Sequence, residues 1–523
     1  MPKTSTSWLS NYFADYQNDE MFTPQMELKP YWKNLFAGFE KIGAPGLTAR
    51  QKDIDWLLSE NGVTYNVYND SKGMHRPWNL NVVPYLLHES EWKTVEEGLK
   101  QRAELLNLVL KDVYGEGNLI RNGIVPHEVI YGHRGFLRQC AGIEYTTAKI
   151  LSIYATDLAR GTDGRLWVVN DRSEAPSGMG YALENRSTAS RILFEMYSGM
   201  HVKRISGFFQ ELNQLLVNAS PERKDNPNIV ILTPGSHNET YFEHAYLASF
   251  LGYPLVQGND LLVRDGFLWM KSLQGLKQID VVLRRVDDAY ADPLELREDS
   301  RLGVAGLLDV VRRKNVSVIN PIGSGILENP GLIPFMQGIA KYFLNEELIL
   351  PQIASWWCGQ EREKNYVLQN LSKLVVKRID RTNRESIHFG EFLTDTEREN
   401  LKNEIRARPY RFVAQERISF STAPNLVKGT LEPRNLVTRA FCIASGEGFS
   451  IMPGGLVRVP RTGKPYGSPI SEAAPVRIFG SWGINPPGRL KTLSGNKNPL
   501  FPSRDLTTFQ ALQPRTYIGQ DAM

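Results

Sequence analysis

Cysteine is scarce in this 523-residue chain: Cys140, Cys358 and Cys442 are the only three, and they stand far apart. Without a Cys-x-x-Cys pair the sequence supports neither a disulfide framework nor a thiolate zinc site, and a reducing cytoplasm fits such usage. Long apolar runs are missing as well. No stretch approaches the roughly 20 residues of a membrane span, and no charged-then-apolar start with a cleavage site is present, so a soluble, unexported protein without a membrane partner is expected. An excess of one charge is also lacking. The 61 Lys and Arg residues against 57 Asp and Glu leave a net charge of +4, too little for a basic stripe and thus an argument against nucleic acid as a partner. The familiar one-line motifs are absent too. There is no P-loop, no Gly-x-Gly-x-x-Gly fingerprint and no Gly-x-Ser-x-Gly elbow, and no Glu-x-x-His brackets His237 and His244, which sets zinc aside.

What remains is ordinary globular composition, 41% hydrophobic and 23% charged, enough for two or three cores. The first 70 residues mix aromatics such as Trp8, Tyr31, Trp32 and Phe36 with polar residues, lack long periodicity, and read as an extension wrapping a core. From Glu91 to Tyr114 the apolar positions Val95, Leu99, Ala103, Leu106, Leu110 and Val113 step by three and four, with Gly115 as a stop. That is an amphipathic helix. Ile153 to Leu158 and Leu166 to Val169 read as a hairpin around Asp163-Gly164. After a polar linker, Ser220 to Asn228, strand and helix alternate: strand Ile229 to Leu232, helix Thr240 to Leu251, strand Asp280 to Leu283, helix Leu302 to Arg313, strand Val316 to Ile319. Such alternation predicts a small α/β sheet. Beyond Pro351 the strands Lys373 to Lys377 and Arg411 to Gln415 flank a charged helix, Thr394 to Arg406, which reads as a second α+β unit. From Arg461 the chain is rich in Pro, Gly and Ser and reads as a tail ordered by packing on the body.

Three constellations bear candidate chemistry. Asp157 on one hairpin strand and Asn170-Asp171-Arg172 on the other are expected to bring two carboxylates within one ion's reach, the hard oxygen set that Mg²⁺ uses beside nucleotide phosphates. The structural alternative is a turn aspartate and a loop cap. Lys377 ends an apolar strand, and Gln415-Glu416 closes another; a lysine there suits a phosphate, and the Gln-Glu pair suits adenine or ribose donors. The alternative is a pair of solvated strand ends. Third come Arg284, Arg285, Arg434, Arg439 and Arg458, forks that bind carboxylate or phosphate. Internal pairing, for instance Arg285 with Asp288 or Asp292, is the competing role. The loops Thr233-Pro234-Gly235 and Asn320 to Gly325 follow strands, where α/β sheets bind ligands. Cys358, beside Trp356 and Trp357, reads as structural, because no base for a nucleophilic cysteine is identifiable.

In order along the chain stand several long strings. They are Leu166-Trp167-Val168-Val169-Asn170-Asp171-Arg172, Ala175-Pro176-Ser177-Gly178, Gly180-Tyr181-Ala182-Leu183-Glu184-Asn185-Arg186 and Asn238-Glu239-Thr240-Tyr241-Phe242-Glu243-His244. Leu283-Arg284-Arg285-Val286-Asp287-Asp288, Trp356-Trp357-Cys358-Gly359, Val413-Ala414-Gln415-Glu416, Leu431-Glu432-Pro433-Arg434 and Met452-Pro453-Gly454-Gly455-Leu456 follow. Together, over Gly73 to Arg458, they resemble the circularly permuted ATP-grasp family, in the branch related in fold to glutathionylspermidine synthases. The resemblance implies a mixed α/β and α+β fold. It places an N-terminal extension at 1–70, a metal and substrate part at 71–225, a small α/β domain at 226–345, a lid and nucleotide part at 346–460 and the tail at 461–523.

It also implies ATP and Mg²⁺ as cofactors and ligation of a small-molecule or peptide carboxylate to an amine through an acyl phosphate. By resemblance Asp157, Asp171 and Asn170 match metal positions, Lys377 a nucleotide-phosphate lysine, Gln415-Glu416 the adenine-side hinge, and Arg172 and Arg458 the acyl-phosphate side. Companion proteins of transglutaminase-like and helical type belong to the same implication. Three departures stand out. Asn170-Asp171-Arg172 stands where many relatives carry Glu-Asp-Asn and a related subgroup carries Asp-Arg, the segment Arg378 to His388 lacks the usual lid glycines, and His75-Arg76-Pro77 stands where relatives often have Glu-Arg-Pro. Besides the ligase, a catalytically degenerate scaffold or nucleotide sensor serving a partner enzyme, and a phosphotransferase to a non-carboxylate acceptor, are the competing readings.

Overall fold

The three- and four-residue spacing around Leu99 builds one long helix, Glu89–Tyr114, with Val95, Leu99, Ala103, Leu106, Leu110 and Val113 all buried. His88 caps its start by accepting from the Ser90 amide, and Gly115 ends it. It belongs to a computed structural model that describes Tyr12 and residues 19–66, 75–145, 147, 149–197, 202–221, 224–379 and 387–460, with the backbone of Ile470–Phe479. The glycine-poor stretch after Arg378 falls largely, at 380–386, outside the described residues, as do the His75 side chain and most of the tail. No helix among the described residues is long and apolar enough to cross a membrane.

The long helix packs beneath a seven-stranded sheet. Its order is Tyr85–His88, Ile470–Phe479, Leu456–Pro460, Val437–Ser445, Ile153–Arg160 and Leu166–Arg172, with Gly448–Ile451 also paired to Val437–Ser445. The expected hairpin is there, two residues longer at one strand end and three at the other. Side chains alternate across a strand, so Tyr154, Leu158, Ala440, Cys442 and Val457 face the long helix. Ile153, Ala155, Phe441 and Ile443 face the opposite core.

The N-terminal region departs from its reading as a non-periodic extension. It forms a helical stretch, Lys33–Glu60, broken at Gly43 (φ 63°) and carrying Pro45. Those two residues interrupt the period and hid it from the sequence. Trp32, Leu35, Phe39, Leu47 and Ile54 of this region are nevertheless fully buried, and Glu20 forms a buried ion pair with Arg160 at 2.8 Å.

A parallel sheet follows, in the order Ser317–Ile319, Val281–Arg284, Ile229–Leu232, Leu255–Val256. The alternation read from sequence is confirmed, although the helix expected from Leu302 covers only Leu307–Arg312 because Gly306 adopts φ 82° just before it. A third, antiparallel sheet has the order Ser355–Trp357, Phe412–Glu416, Leu374–Arg378, Ile387–Phe389. Its residues Leu374, Val376, Phe412 and Ala414 pack under the helices Glu361–Asn370 and Asp395–Ala407 through Val367, Leu401 and Ile405. Thr394 and Glu397 form a capping box on the second helix, the start signal its sequence carries.

Candidate functional site

Alternation in the third sheet decides which side chains leave its helical core. Leu374, Val376, Phe412 and Ala414 point to the helices, so Lys377 and Gln415 point away from them, toward the seven-stranded sheet. There Lys377 Nζ donates to Gln415 Oε1 and lies 3.3 Å from Asn170 Oδ1. Lys377, Gln415 and Asn170 are all buried. Three residues separated by up to 245 positions thus meet between two sheets. Glu416 does not join them: it lies at the strand end, across from Leu374 and exposed.

The matching face of the large sheet is built from cross-strand pairs. Asp157 stands opposite Asn170 on one side and opposite Arg439 on the other. Arg172 is two residues beyond Asn170, and Arg458 pairs with Val437, two residues before Arg439. All five side chains therefore share one face. Arg439 grips Asp157 with its fork, Nε to Oδ1 at 2.8 Å and Nη2 to Oδ2 at 3.1 Å, and donates to the Ser177 carbonyl at 3.0 Å. Arg172 Nε and Arg458 Nη1 lie 3.8 and 4.0 Å from Asp157 Oδ2. Burial pushes the Asp157 carboxyl up, but the Arg439 guanidinium, helped by Arg172 and Arg458, outweighs it and holds the group well below the usual carboxylate range. Gly178, at φ 120°, lets the 176–178 loop lie on this face; a Cβ there would meet Leu456 and Phe441 at 2.9 and 3.0 Å.

Asp171 corrects the sequence reading. Its ladder partner is Thr156, so it projects from the opposite face, and the two carboxylates are not within one ion's reach. On that face Arg102 of the long helix holds it with two bonds of 2.7 Å, and Tyr154 donates at 2.6 Å. The cause is a register shift between Asp157 and Leu158: Val169 is the extra residue, and a one-residue slip turns every later side chain over. The metal positions expected at Asp157, Asp171 and Asn170 therefore reduce, on the cleft face, to one carboxylate already held by guanidinium and one neutral amide. These residues do not fit a protein-ligated Mg²⁺. Among the described residues no group of three or more His, Cys, Asp or Glu is arranged to hold a metal ion.

Sequence reasoning missed Arg102 and Glu328. Arg102 left a signal, because it sits three residues after Leu99 and four before Leu106 on the apolar stripe. Glu328 pairs with Arg172 at 3.0 Å and accepts from the Ser173 and Glu174 amides. Burial would raise its carboxyl, yet Arg172 and those amides hold it below its ordinary range. Arg284 pairs with Asp288 at 2.6 Å. Arg285 does not take Asp288 or Asp292: it lies 3.7 Å from Glu243, whose carboxylate accepts from the Gly178 and Gly180 amides at the start of the helix Met179–Ile192. Arg434 pairs with Glu432 at 2.7 Å. Cys358 is buried, which pushes its thiol up to about 12 and leaves it un-ionised at neutral pH.

Glu174 faces Asp287, Asp288 and Glu328, and burial first, then these like charges, raises its carboxyl well above the ordinary glutamate value. A raised carboxyl favours the folded state below the unfolded-chain value and loses that contribution as pH climbs through the folded one. Glu174→Gln removes the loss. The variant's thermal midpoint is expected to gain on the wild type between pH 5 and pH 8; an unchanged difference would show that Glu174 carries no such charge conflict.

A large sheet antiparallel except at its Tyr85–His88 edge and a smaller antiparallel sheet, facing each other across polar side chains, with a parallel α/β segment between them in sequence, form the architecture of the ATP-grasp proteins. The chain belongs to the circularly permuted ATP-grasp type 2 family, which matches residues 84–460. Membership points to ATP-dependent ligase chemistry in general, and such enzymes generally use ATP and Mg²⁺. The chain is 37% identical over 446 residues to an uncharacterized protein of Mycobacterium tuberculosis, covering 84% of this chain and 50% of that one. It is 34% identical over 451 residues to an uncharacterized protein of Synechocystis, covering 86% and 94%. It thus spans about half the length of the mycobacterial relative. A glutathione synthetase-like effector from Globodera pallida, solved in its apo form, shares the fold with a TM-score of 0.52 at 13% identity, covering 88% of this chain and 100% of that one.

Proposed function

We propose that this chain is an ATP-dependent carboxylate–amine ligase of the peptide-forming type, releasing ADP and phosphate. The meeting of Lys377, Gln415 and Asn170 beside the Arg172, Arg439 and Arg458 face supports the reading most directly. ATP enters as the co-substrate. Lys377 binds a phosphate oxygen as a point charge, and Gln415 orients that ammonium and offers an amide to the base side. Arg172 and Arg458 face the phosphoryl group as it moves.

In the first half-reaction a carboxylate oxygen attacks the γ-phosphorus, the bond to the bridging oxygen breaks and ADP leaves. The amine nitrogen then attacks the acyl carbon, the amide forms and phosphate departs, with the amine proton passing to water. Fixed cations facing the charge that develops are the usual source of such acceleration, each donor worth on the order of 10²- to 10³-fold. The polypeptide's part is to bind, orient and neutralise.

Hydroxylamine tests this without knowledge of the amine. It is a small nucleophile that converts any acyl phosphate to a hydroxamate. The full chain, incubated with ATP, hydroxylamine and pools of amino acids and short peptides, is expected to yield hydroxamate and ADP with at least one pool. A phosphorylated acceptor without hydroxamate would replace the ligase by a phosphotransferase. ATP binding without any product from the pools would favour the nucleotide-sensing scaffold.

A further inference from the structure

The cleft face and the magnesium that its family generally uses do not agree, and the disagreement has a direction. Four cationic side chains, Arg172, Arg439, Arg458 and Lys377, meet at this face. Among the described residues, the carboxylates bonded to them include Asp157, held through both oxygens by Arg439, and Glu328, bonded to Arg172 and to two backbone amides. Each negative group is thus already committed to a cation of the chain itself. Asn170 contributes a neutral amide whose oxygen is 3.3 Å from the Lys377 ammonium. The other carboxylate on the hairpin strands, Asp171, is turned to the other face and fixed by Arg102. A divalent cation seated among these donors would displace guanidinium from Asp157 and remain beside three arginines. A polyanion, in contrast, finds donors in fork geometry that match phosphate oxygens.

We infer that this cleft is an anion site in which the four protein cations, not a protein-ligated magnesium ion, hold the nucleotide's phosphates, so that ATP binds without Mg²⁺. The inference rests on the ligase reading only in taking ATP as the ligand. Asp157 then serves as an internal counter-anion that keeps Arg439, Arg172 and Arg458 gathered while the phosphates are away. It is a positioning residue, and the phosphates compete with it for the same guanidinium groups. Asp157 and the metal-ligand role consequently make opposite demands on one substitution.

The test is calorimetric titration of the full chain with ATP, once in excess EDTA and once in excess MgCl₂. Metal-free ATP is expected to bind at least as tightly as its magnesium complex, or within about threefold of it. Asp157→Asn, which keeps the side chain's size and removes its charge, is expected to tighten metal-free ATP binding about three- to tenfold. Tenfold or greater tightening of wild-type binding by magnesium would overturn the inference and leave the ligase reading standing. Loss of metal-free ATP binding in a folded Asp157→Asn protein would do the same. Failure of both forms of ATP to bind wild-type protein would overturn the inference and the ligase reading together. The wild-type comparison needs no variant, so a failure of Asp157→Asn to fold does not spoil it.

Discussion

Replacing Arg102 by leucine is expected to cost about 3–5 kcal/mol of stability, because it strands the Asp171 carboxylate in a buried site after removing both of its 2.7 Å guanidinium bonds. Arg102 is 2% exposed and Asp171 8%, so water cannot replace the lost donors. Tyr154 still donates one hydrogen bond, which does not offset a missing charge. Burial lowers the basicity of Arg102, but Asp171 raises it further, and the guanidinium is held firmly charged.

Thermal denaturation checks the direction, with a lowered midpoint expected. Asp171→Asn should lower the midpoint as well while leaving ATP affinity within about threefold. A catalytic-metal role for Asp171 demands the reverse, a retained midpoint with lost nucleotide binding. The double variant Arg102→Leu with Asp171→Leu should recover much of the loss, since removing both charges of a buried pair is often close to neutral.

Asp171 also shows where sequence reading stops. Counting residues across the hairpin without a bulge sets Asp171 opposite Ala155 and on the Asp157 face. The shift at Asp157 and Leu158 sets it opposite Thr156 instead, and gives Ala155 to Arg172. One extra residue in a strand of seven decides this, and nothing in Val168-Val169-Asn170 announces which valine is left over. The large elements were readable because they are carried by many residues at once: six apolar positions at helical spacing outvote any single irregularity in Glu89–Tyr114. Lys377 and Gln415 were readable for the same reason, each ending an apolar strand whose alternation fixes its face. The region around Lys33–Glu60 fails in the opposite sense, since Gly43 and Pro45 break its period while its tertiary contacts keep it helical. Long-range partners such as Arg102 with Asp171, or Glu328 with Arg172, depend on sheet stacking that no local pattern encodes.

Lys377→Met is expected to weaken ATP binding on the order of 10- to 100-fold, the equivalent of a charged hydrogen bond of about 1.5–3 kcal/mol. Methionine keeps the length of the stem and its packing while removing the ammonium that meets Gln415 and Asn170. Gln415 and Asn170 are neutral amides, so no charge is stranded at either of them and folding should be retained, in contrast to the Arg102 variant. The comparison separates the two faces of one sheet. On the helix side, loss of a cation unfolds; on the cleft side, loss of a cation disarms. Calorimetric titration with ATP reads the affinity, and a thermal midpoint within a few degrees of wild type verifies the fold. Unchanged affinity with unchanged stability would return Lys377 to a strand-end role. It would also leave the arginine face to account for any nucleotide binding, with Gln415 still held by its bond to Ser355 Oγ at 3.2 Å.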